Sequence, residues 1–560
     1  MTELLVEKYP AVYSTAESCT YVRQVGTKSY DYLRSYPQNN AENYFNAPDG
    51  VENNIGTEIK FMDNLNSDWF DLREMQLMVT GYVCLQNNHT QPLTPDRFSA
   101  FNPEFLFQTC RVRIGNTDIV TPSNKDNVYM SGHLKKLLSY SSPFAQADAG
   151  YEEFYPDTGL DARPNKVPFT ASASVVTATD PAADTNYIQV GTQGGTNVQA
   201  GASVDVFQSA LPHGNPGFTV TPNVYYNKGY EARQTLFNSA AIKPITFPVK
   251  IKYLVDSLDA FADVQSNVSL QVVFRRNYDR FCFQTAGDPT VGVAGQYPKF
   301  WMTYLELQTP TYRPDPLALS MLEAKLLAGT VTRRRWVDID IIPYATLLTP
   351  GTAQTCIEFV NAINRRPVGA FLAYQFNAET NGLDSGALTF SPFNGNSMRF
   401  FNPGVTQARA MIGNQMVYPS TYGYQGDPTK ANYAEFYRSF LKLTDYWRQS
   451  REAPLIDYNA YINHKFMIPF DFRDLDTSLF LQEGQWKLNF QINHTGLPAI
   501  PTGGIAPYIA QGSTLSDAAA PTTRIGGPVQ VWLFLFQERE MIVTQSSAGV
   551  SVQFDVPPLI

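Results

Sequence analysis

The chain has 560 residues, 43% hydrophobic and 17% charged, which exceeds one ordinary domain and suits two large ones or three or four small ones. Its net charge of -9 and pI near 5.2 argue against a basic, genome-gripping face, and the first fifty residues hold four Lys or Arg against six Asp or Glu, so direct sequence-specific nucleic-acid binding is not expected. The first residues lack the basic start and apolar core of a signal peptide, and the longest apolar run, VWLFLF at 531–536, is far short of the ~20 residues of a spanning helix; a soluble chain made in the cytosol is expected.

From the start, residues 1–55 read as an arm: Tyr9, Tyr13, Tyr21, Tyr30, Tyr32, Tyr36 and Tyr44 recur without a core-forming period. Alternation then dominates. RVRIGNTDIVTPS (111–123) reads as a strand, an Ile-Gly-Asn hairpin turn and a return strand. SGHLKKLLSY (131–140) spaces Leu134, Leu137 and Leu138 as a short helix does. Residues 167–227 contain no Lys, Arg or Glu and only three Asp, a composition that builds no core and fits a long exposed loop or hairpin, placed at about 155–230. ITFPVKIKYL (245–254), VSLQVVF (268–274) and FWMTYLEL (300–307) are strand patterns, the middle one with Val268, Leu270, Val272 and Phe274 on one face. Three prolines within TPTYRPDPLAL (309–319) mark a linker, taken as 313–330, after a first β domain at 56–312.

The second domain, 331–560, opens on TRRRWVDIDII, in which alternation predicts Val337, Ile339 and Ile341 inward and Asp338 and Asp340 outward. VGAFLAYQF (368–376), WKLNFQI (486–492) and VQVWLFLF (529–536) are further strands, YAEFYRSFLKLTDYW (433–447) a second helix, and 377–405 and 496–528 loop insertions. RAMIGNQMVYPS (409–420) repeats the earlier Ile-Gly-Asn hairpin 298 residues on. FDFRDLDTSLFLQEGQWKLNFQI likewise echoes YLVDSLDAFADVQSNVSLQVVF, but only 217 residues separate Leu258 from Leu475, so a duplicated chain carries about 81 extra residues in its first copy.

FNPEFLFQTCRVRIGNTDI (101–119), YMSGHLKKLLSYS (129–141), FYPDTG (154–159), VDSLDAFADVQSNVSLQVVFRRNYDRFCF (255–283), MIPFDFRDLDTSLFLQEGQWKLNF (467–490) and VQVWLFLFQEREMIV (529–543) together resemble the double jelly-roll major capsid proteins of double-stranded DNA viruses. The flavour is that of Polinton-like viruses, adintoviruses and virophages, with adenovirus hexon more distant; the loop at 167–227 is this chain's own. The resemblance implies an all-β fold of two tandem eight-stranded jelly-roll sandwiches with long loop insertions and a few short helices. It also implies a homotrimer of pseudo-hexameric outline that tiles an icosahedral shell beside neighbouring capsomers, with penton and minor or cement capsid proteins as further partners. The arm would lie beneath the sandwiches. The location implied is the virion, with synthesis in the host cytoplasm and assembly there or in the nucleus; contact with a membrane is left open.

Chemistry has little to stand on. His89, His133, His213, His464 and His494 are scattered, and no P-loop or G-x-S-x-G string is present. The glycines of GTQGGTNVQAG (191–201) lack a following helix and a Lys. Asp338 and Asp340 share one strand and so stand roughly 6–7 Å apart, whereas retaining glycosidases hold carboxyls about 5–5.5 Å apart. Arg333, Arg334 and Arg335 point to alternating sides of an extended chain; Trp336 beside them is able to stack on a base, but pairing with acids such as Asp338 or with a neighbouring chain is the simpler reading, and FRRNYDRF (274–281) reads the same way. Cys19, Cys84, Cys110, Cys282 and Cys356 are odd in number, without CxxC, and read as reduced thiols; the sequons at Asn88, Asn267 and Asn493 read as coincidental. No catalytic, cofactor-binding or metal residue, no cofactor and no enzyme activity is therefore expected. The alternative is a two-domain carbohydrate-binding or carbohydrate-active β-sandwich protein, supported by the Trp, Tyr and Asn content. A receptor-binding fibre would show short shaft repeats, which the sequence lacks.

Overall fold

The computed structural model describes, with short gaps, residues 31–156, 241–312, 330–376, 400–495 and 529–554, plus isolated short pieces elsewhere. The residues expected to form long loops at 155–230, 377–405 and 496–528 lie mostly outside the described residues, as do residues 1–30, with Tyr9, Tyr13, Tyr21 and Tyr30, and most of the linker.

Eight strands build the first sandwich: β1 (Asp31–Ser35), β2 (Glu58–Leu65), β3 (Gln76–Leu85), β4 (Phe107–Ile114), β5 (Thr117–Asp118), β6 (Ile245–Lys250), β7 (Val268–Arg276) and β8 (Pro298–Tyr312). They pair in the orders β1-β8-β3-β6 and β2-β7-β4-β5. Eight more build the second: β9 (Thr330–Pro343), β10 (Gln354–Asn361), β11 (Pro367–Phe376), β12 (Val405–Ile412), β13 (Gln415–Tyr418), β14 (Met467–Asp471), β15 (Trp486–His494) and β16 (Val529–Ser546). These pair as β9-β16-β11-β14 and β10-β15-β12-β13. The two orders are identical when each set is counted from its own first strand: first, eighth, third, sixth in one sheet and second, seventh, fourth, fifth in the other. That is the jelly roll, present twice. A last strand, β17 (Gly549–Phe554), pairs with β16.

The repeated Ile-Gly-Asn strings are the two β4–β5 and β12–β13 hairpins, each closed by a two-residue loop, with Ile114 opposite Thr117 and Ile412 opposite Gln415. Gly115 sits at φ 59, where a Cβ is disfavoured. Each hairpin is followed by a helix before the sixth strand: α1 (Val128–Ser139) and α2 (Ala434–Thr444). Shorter helices at Ser142–Ala147 and Tyr458–His464 leave no mark in the sequence, because neither is long enough to show a period.

Two expectations need correction. ITFPVKIKYL is a strand only to Lys250; Ile251–Leu254 turns into helix. And part of the expected arm is sheet: Asp31–Ser35 pairs with Thr311 to Leu307 of β8, and Phe45 is fully buried.

Packing follows alternation in the first sandwich, where Ile59, Phe61, Val112, Leu270, Val272 and Phe274 are buried on one sheet and Leu77, Val79, Phe247, Leu305 and Leu307 on the other. The second sandwich differs, because the sheet containing β16 is buried on both sides: every residue from Val531 to Gln537 is buried. One face looks at the opposite sheet, as Phe470 against Phe490 at 4.8 Å shows. The other is covered by α2, where Phe440 meets Phe371 at 5.4 Å. Gly369 makes room for that helix: a Cβ there would stand 2.7 Å from Leu443 Cδ1 and 2.9 Å from the Phe470 carbonyl.

Candidate functional site

Among the described residues, and apart from the ion pairs inside the second sandwich, buried charge is concentrated in three places, and each ties one segment of the chain to another. The first is the seam between the sandwiches. After β6 the chain makes a turn at Asp256–Ala260. Asp256 accepts a hydrogen bond from the Ile339 amide of β9 at 2.9 Å and is ion-paired with Lys135 of α1. Asp256 and Lys135 are both buried. Past the end of α1, the Ser142 amide donates to the Ala453 carbonyl at 3.0 Å. Among the described strands β9 pairs only with β16 and is an edge, so the Asp256 carboxylate caps an amide that would otherwise be left bare.

TRRRWVDIDII lies in β9, as a strand, but with its faces reversed. Asp338 and Asp340 stand opposite Gln537 and Leu535 of β16, and Leu535 stands opposite Ala370 of β11. That face also carries Tyr374, which packs on His494 of the opposite sheet at 5.9 Å. The aspartates therefore share the face that looks into the sandwich, and Ile339 lies on the other with Phe536 and Phe371. Both aspartates are buried and are held by Arg539: Nε lies 2.6 Å from Asp338 Oδ2 and Nη2 3.6 Å from Asp340 Oδ1. A carboxylate pair fixed this way is neutralised structure, not a free acid and base. Arg335 reaches Glu540 at 3.2 Å and is itself exposed; the side chains of Arg333 and Arg334 lie outside the described residues.

The second concentration fastens residues 42–53 to β8. Arg276 donates to the Phe45 carbonyl at 2.7 Å and Asn46 Oδ1 at 2.9 Å, and lies 3.7 Å from Asp279. Asp279 in turn accepts from the Asn53 amide at 2.9 Å, and Lys299 donates to the Ala47 carbonyl at 2.6 Å. FRRNYDRF is thus an internal clamp. Burial pushes the Asp279 carboxyl up, against the pull of Arg276, and pushes the Arg276 guanidinium down.

The third lies under α1. Glu152 is buried, and desolvation alone would raise its pKa, but Lys136 at 3.1 Å and Lys250 at 2.6 Å hold it down at about 2. Tyr140 and Tyr151 also donate to it, at 2.7 and 2.5 Å. His133 pairs with Glu104 nearby. The cleft between these groups encloses about 10 Å³, room for one water and no substrate.

The remaining sequence candidates stay apart. His89 stacks on Trp301 at 4.0 Å and bonds Asp49 at 2.9 Å; His494 bonds Thr355 at 3.0 Å inside the second sandwich. Cys84, Cys110 and Cys282 are buried and Cys356 is exposed, all as free thiols, and burial pushes the Cys84 thiol up to about 12; Cys19, His213 and the glycines at 191–201 lie outside the described residues or their defined surroundings. Among the described residues no group of three or more His, Cys, Asp or Glu is placed to hold a metal ion, and no helix is long and apolar enough to cross a membrane.

Sequence reasoning missed Arg539, Asp256, Lys135 and the Asn46 and Asn53 partners of the FRRNYDRF segment. Only Arg539 left a signal: it stands in phase with Leu533 and Leu535 at the end of an apolar strand.

Neither a protein-family model nor a curated protein matches the chain. Solved structures do. The cryo-EM structure of the Sputnik virophage is similar over 95% of this chain and 89% of that one, at 9% identity and a TM-score of 0.48. The mavirus major capsid protein is similar over 95% and 91%, at 11% identity and 0.43, and a chain of the PBCV-1 virus capsid over 95% and 99%, at 10% and 0.43. Likenesses this distant leave the jelly-roll assignment resting on the strand orders of the chain itself.

Proposed function

We propose that this chain is a major capsid protein whose work is self-assembly: three copies form a pseudo-hexameric capsomer, and many capsomers tile an icosahedral shell. One observation carries the reading. The same eight-strand order occurs twice in one chain, each copy with a helix before its sixth strand, and a buried seam joins the copies. A protein so built offers two near-equivalent building blocks per chain, so a threefold ring of chains presents six.

The reading extends to what the assembly needs. Buried ion pairs such as Lys135–Asp256, Lys250–Glu152 and Arg539–Asp338 stiffen a scaffold, which suits the structural, non-enzymatic role proposed. Residues 1–55 and 56–312, the linker 313–330 and the second unit 331–560 are the proposed division, with the start of the first sandwich moved back to include β1. Penton and minor or cement proteins, location in the virion and assembly in the host cytoplasm or nucleus complete the proposal.

The test is size and shape. Light scattering on purified protein is expected to give about 188 kDa, three chains of 62.6 kDa, with a hexagonal outline in negative stain. A monodisperse monomer that is retained on a glycan column would overturn the reading in favour of a carbohydrate-binding sandwich.

A further inference from the structure

The longest strand of the second sandwich outruns its sheet. β16 is paired with β9 along nearly its whole length, from Trp532 opposite Pro343 to Gln545 opposite Thr330. On its other edge β11 accompanies it only from Val529 to Gln537, and from Met541 to Ser546 that edge is taken by β17. The end of β16 therefore belongs to a three-stranded ribbon, β9-β16-β17, that continues past β11. β17 is supernumerary: the eight-strand order of the second jelly roll is complete without it.

The first sandwich meets this ribbon at two places. The Asp256 carboxylate takes the Ile339 amide, and Ile339 stands opposite Phe536. β17 lies against β4 and β5, the Ile-Gly-Asn hairpin. Turn and hairpin are themselves fastened together, because Ser257 Oγ donates to the Ile119 carbonyl at 2.6 Å and both residues are buried. The Gly115 amide of the hairpin loop also donates to the Ser269 carbonyl of β7 at 2.7 Å. The support is thus one stiff piece with two points of contact. Along β16 these lie at least as far apart as Phe536 and Met541, roughly 16 Å at ~3.3 Å per residue.

That separation supplies leverage. A contact at one point fixes position and leaves rotation about it; a second contact well along the same ribbon opposes that rotation. The Ser142–Ala453 hydrogen bond adds a point outside the ribbon and does not hold its end. We infer that β17 is a strap: added to the end of the β9-β16 pair, it locks the second sandwich onto the β4–β5 hairpin of the first, so that the two move as one body. The proline-bearing linker at 313–330 is then a tether and does not set their orientation. The inference stands whether or not the chains form capsomers.

The test measures one distance across the two sandwiches. In a Cys19→Ser background, spin labels are placed at the exposed Cys356 of β10 and at Met62→Cys, an exposed position of β2; the other described thiols are buried. Labelled chains are diluted with unlabelled ones so that only distances within a chain are read. Pulsed electron–electron resonance on the full chain is expected to give a narrow distance distribution. In the chain ending at Ser546 the distribution is expected to broaden about twofold or more, since two domains without a firm interface move relative to each other. Circular dichroism checks that both sandwiches remain folded. Ser551→Pro with Val552→Pro keeps the chain length and carries the same expectation, because adjacent residues of a strand point their amides to opposite sides and one of the two prolines removes a bond to β16. Equally narrow distributions in the folded variants would overturn the strap. Failure of both variants to fold would overturn it as well, by making β17 part of the second sandwich's own stability.

Discussion

Arg539 and Asp338 face each other between β16 and β9, Nε to Oδ2 at 2.6 Å, with both side chains almost wholly removed from water. Their worth lies less in attraction than in what each prevents. Desolvating two charges costs about as much as their pairing returns, so the pair is weak evidence for net stability, but either one left alone is a buried charge without a partner.

Arg539→Met is therefore expected to destabilise the protein by about 3–5 kcal/mol, because it strands Asp338 and leaves Asp340 without its guanidinium. Adding Asp338→Leu to that variant should recover a large part of the loss. Urea unfolding followed by tryptophan fluorescence checks both, since Trp336 stands directly opposite Arg539 in the ladder. A neutral Arg539→Met, or a double variant no better than the single, would show that the pair is not buried in solution.

The imidazole of His494 sits inside the second sandwich, and burial lowers its pKa from the ordinary 6.5 to about 4. Between those values the unfolded chain binds a proton that the folded chain refuses, so this residue's contribution to stability is complete above about pH 6.5 and is lost as the pH falls toward 4. Melting temperature measured from pH 7.5 to 4 should fall more steeply in the parent than in His494→Gln. Parallel curves would place the imidazole in contact with solvent.

How much of this is legible in the sequence depends on what each segment has to bury. Alternating strands such as VSLQVVF, with one face buried at Leu270, Val272 and Phe274, announce both their type and their orientation. The Ile-Gly-Asn strings announce the duplication because a two-residue hairpin restricts its residues. DYLRS at 31–35 announces nothing: it is a five-residue edge strand without apolar alternation, recruited by β8. In β9 the strand is legible and its facing is not, since both faces are buried and hydrophobicity no longer distinguishes them. Partners such as Asp256 and Ile339, 83 residues apart in sequence, are fixed by how the two units dock, which no local pattern records.

Asp71 gives the opposite pH signature. Burial pushes its carboxyl up from 3.8 to about 6, with Arg73 pulling it back. Here the folded chain holds the proton more tightly, so the contribution is complete below about pH 3.8 and is lost as the pH rises through 6. Asp71→Asn keeps an oxygen for the Arg73 amide, which Asp71 accepts at 3.0 Å, and removes the charge. It is expected to raise stability at pH 7 by about 1–3 kcal/mol, since each tenfold change in proton affinity between the folded and unfolded chain is worth ~1.36 kcal/mol, and to make no difference at an acidity below both pKa values. Chemical denaturation under the two conditions decides; an equal effect in both would attribute the gain to something other than ionisation.

Truncation from the N-terminus separates arm from sandwich. A cut after residue 30 removes only segments that precede β1, and in the capsid reading it is expected to leave a folded trimer whose assembly into shells is impaired. A cut after residue 45 takes away β1, the fully buried Phe45 and the Phe45 carbonyl that receives Arg276 at 2.7 Å. It uncovers an edge of β8 and leaves a buried guanidinium short of an acceptor, which is costly. That second variant is expected to be insoluble or to lose the cooperative melt of the first sandwich, before any question of assembly arises. Light scattering and circular dichroism on the two variants distinguish the outcomes: equal folding of both would remove β1 from the first sandwich, and normal shells from the shorter cut would remove the arm from assembly.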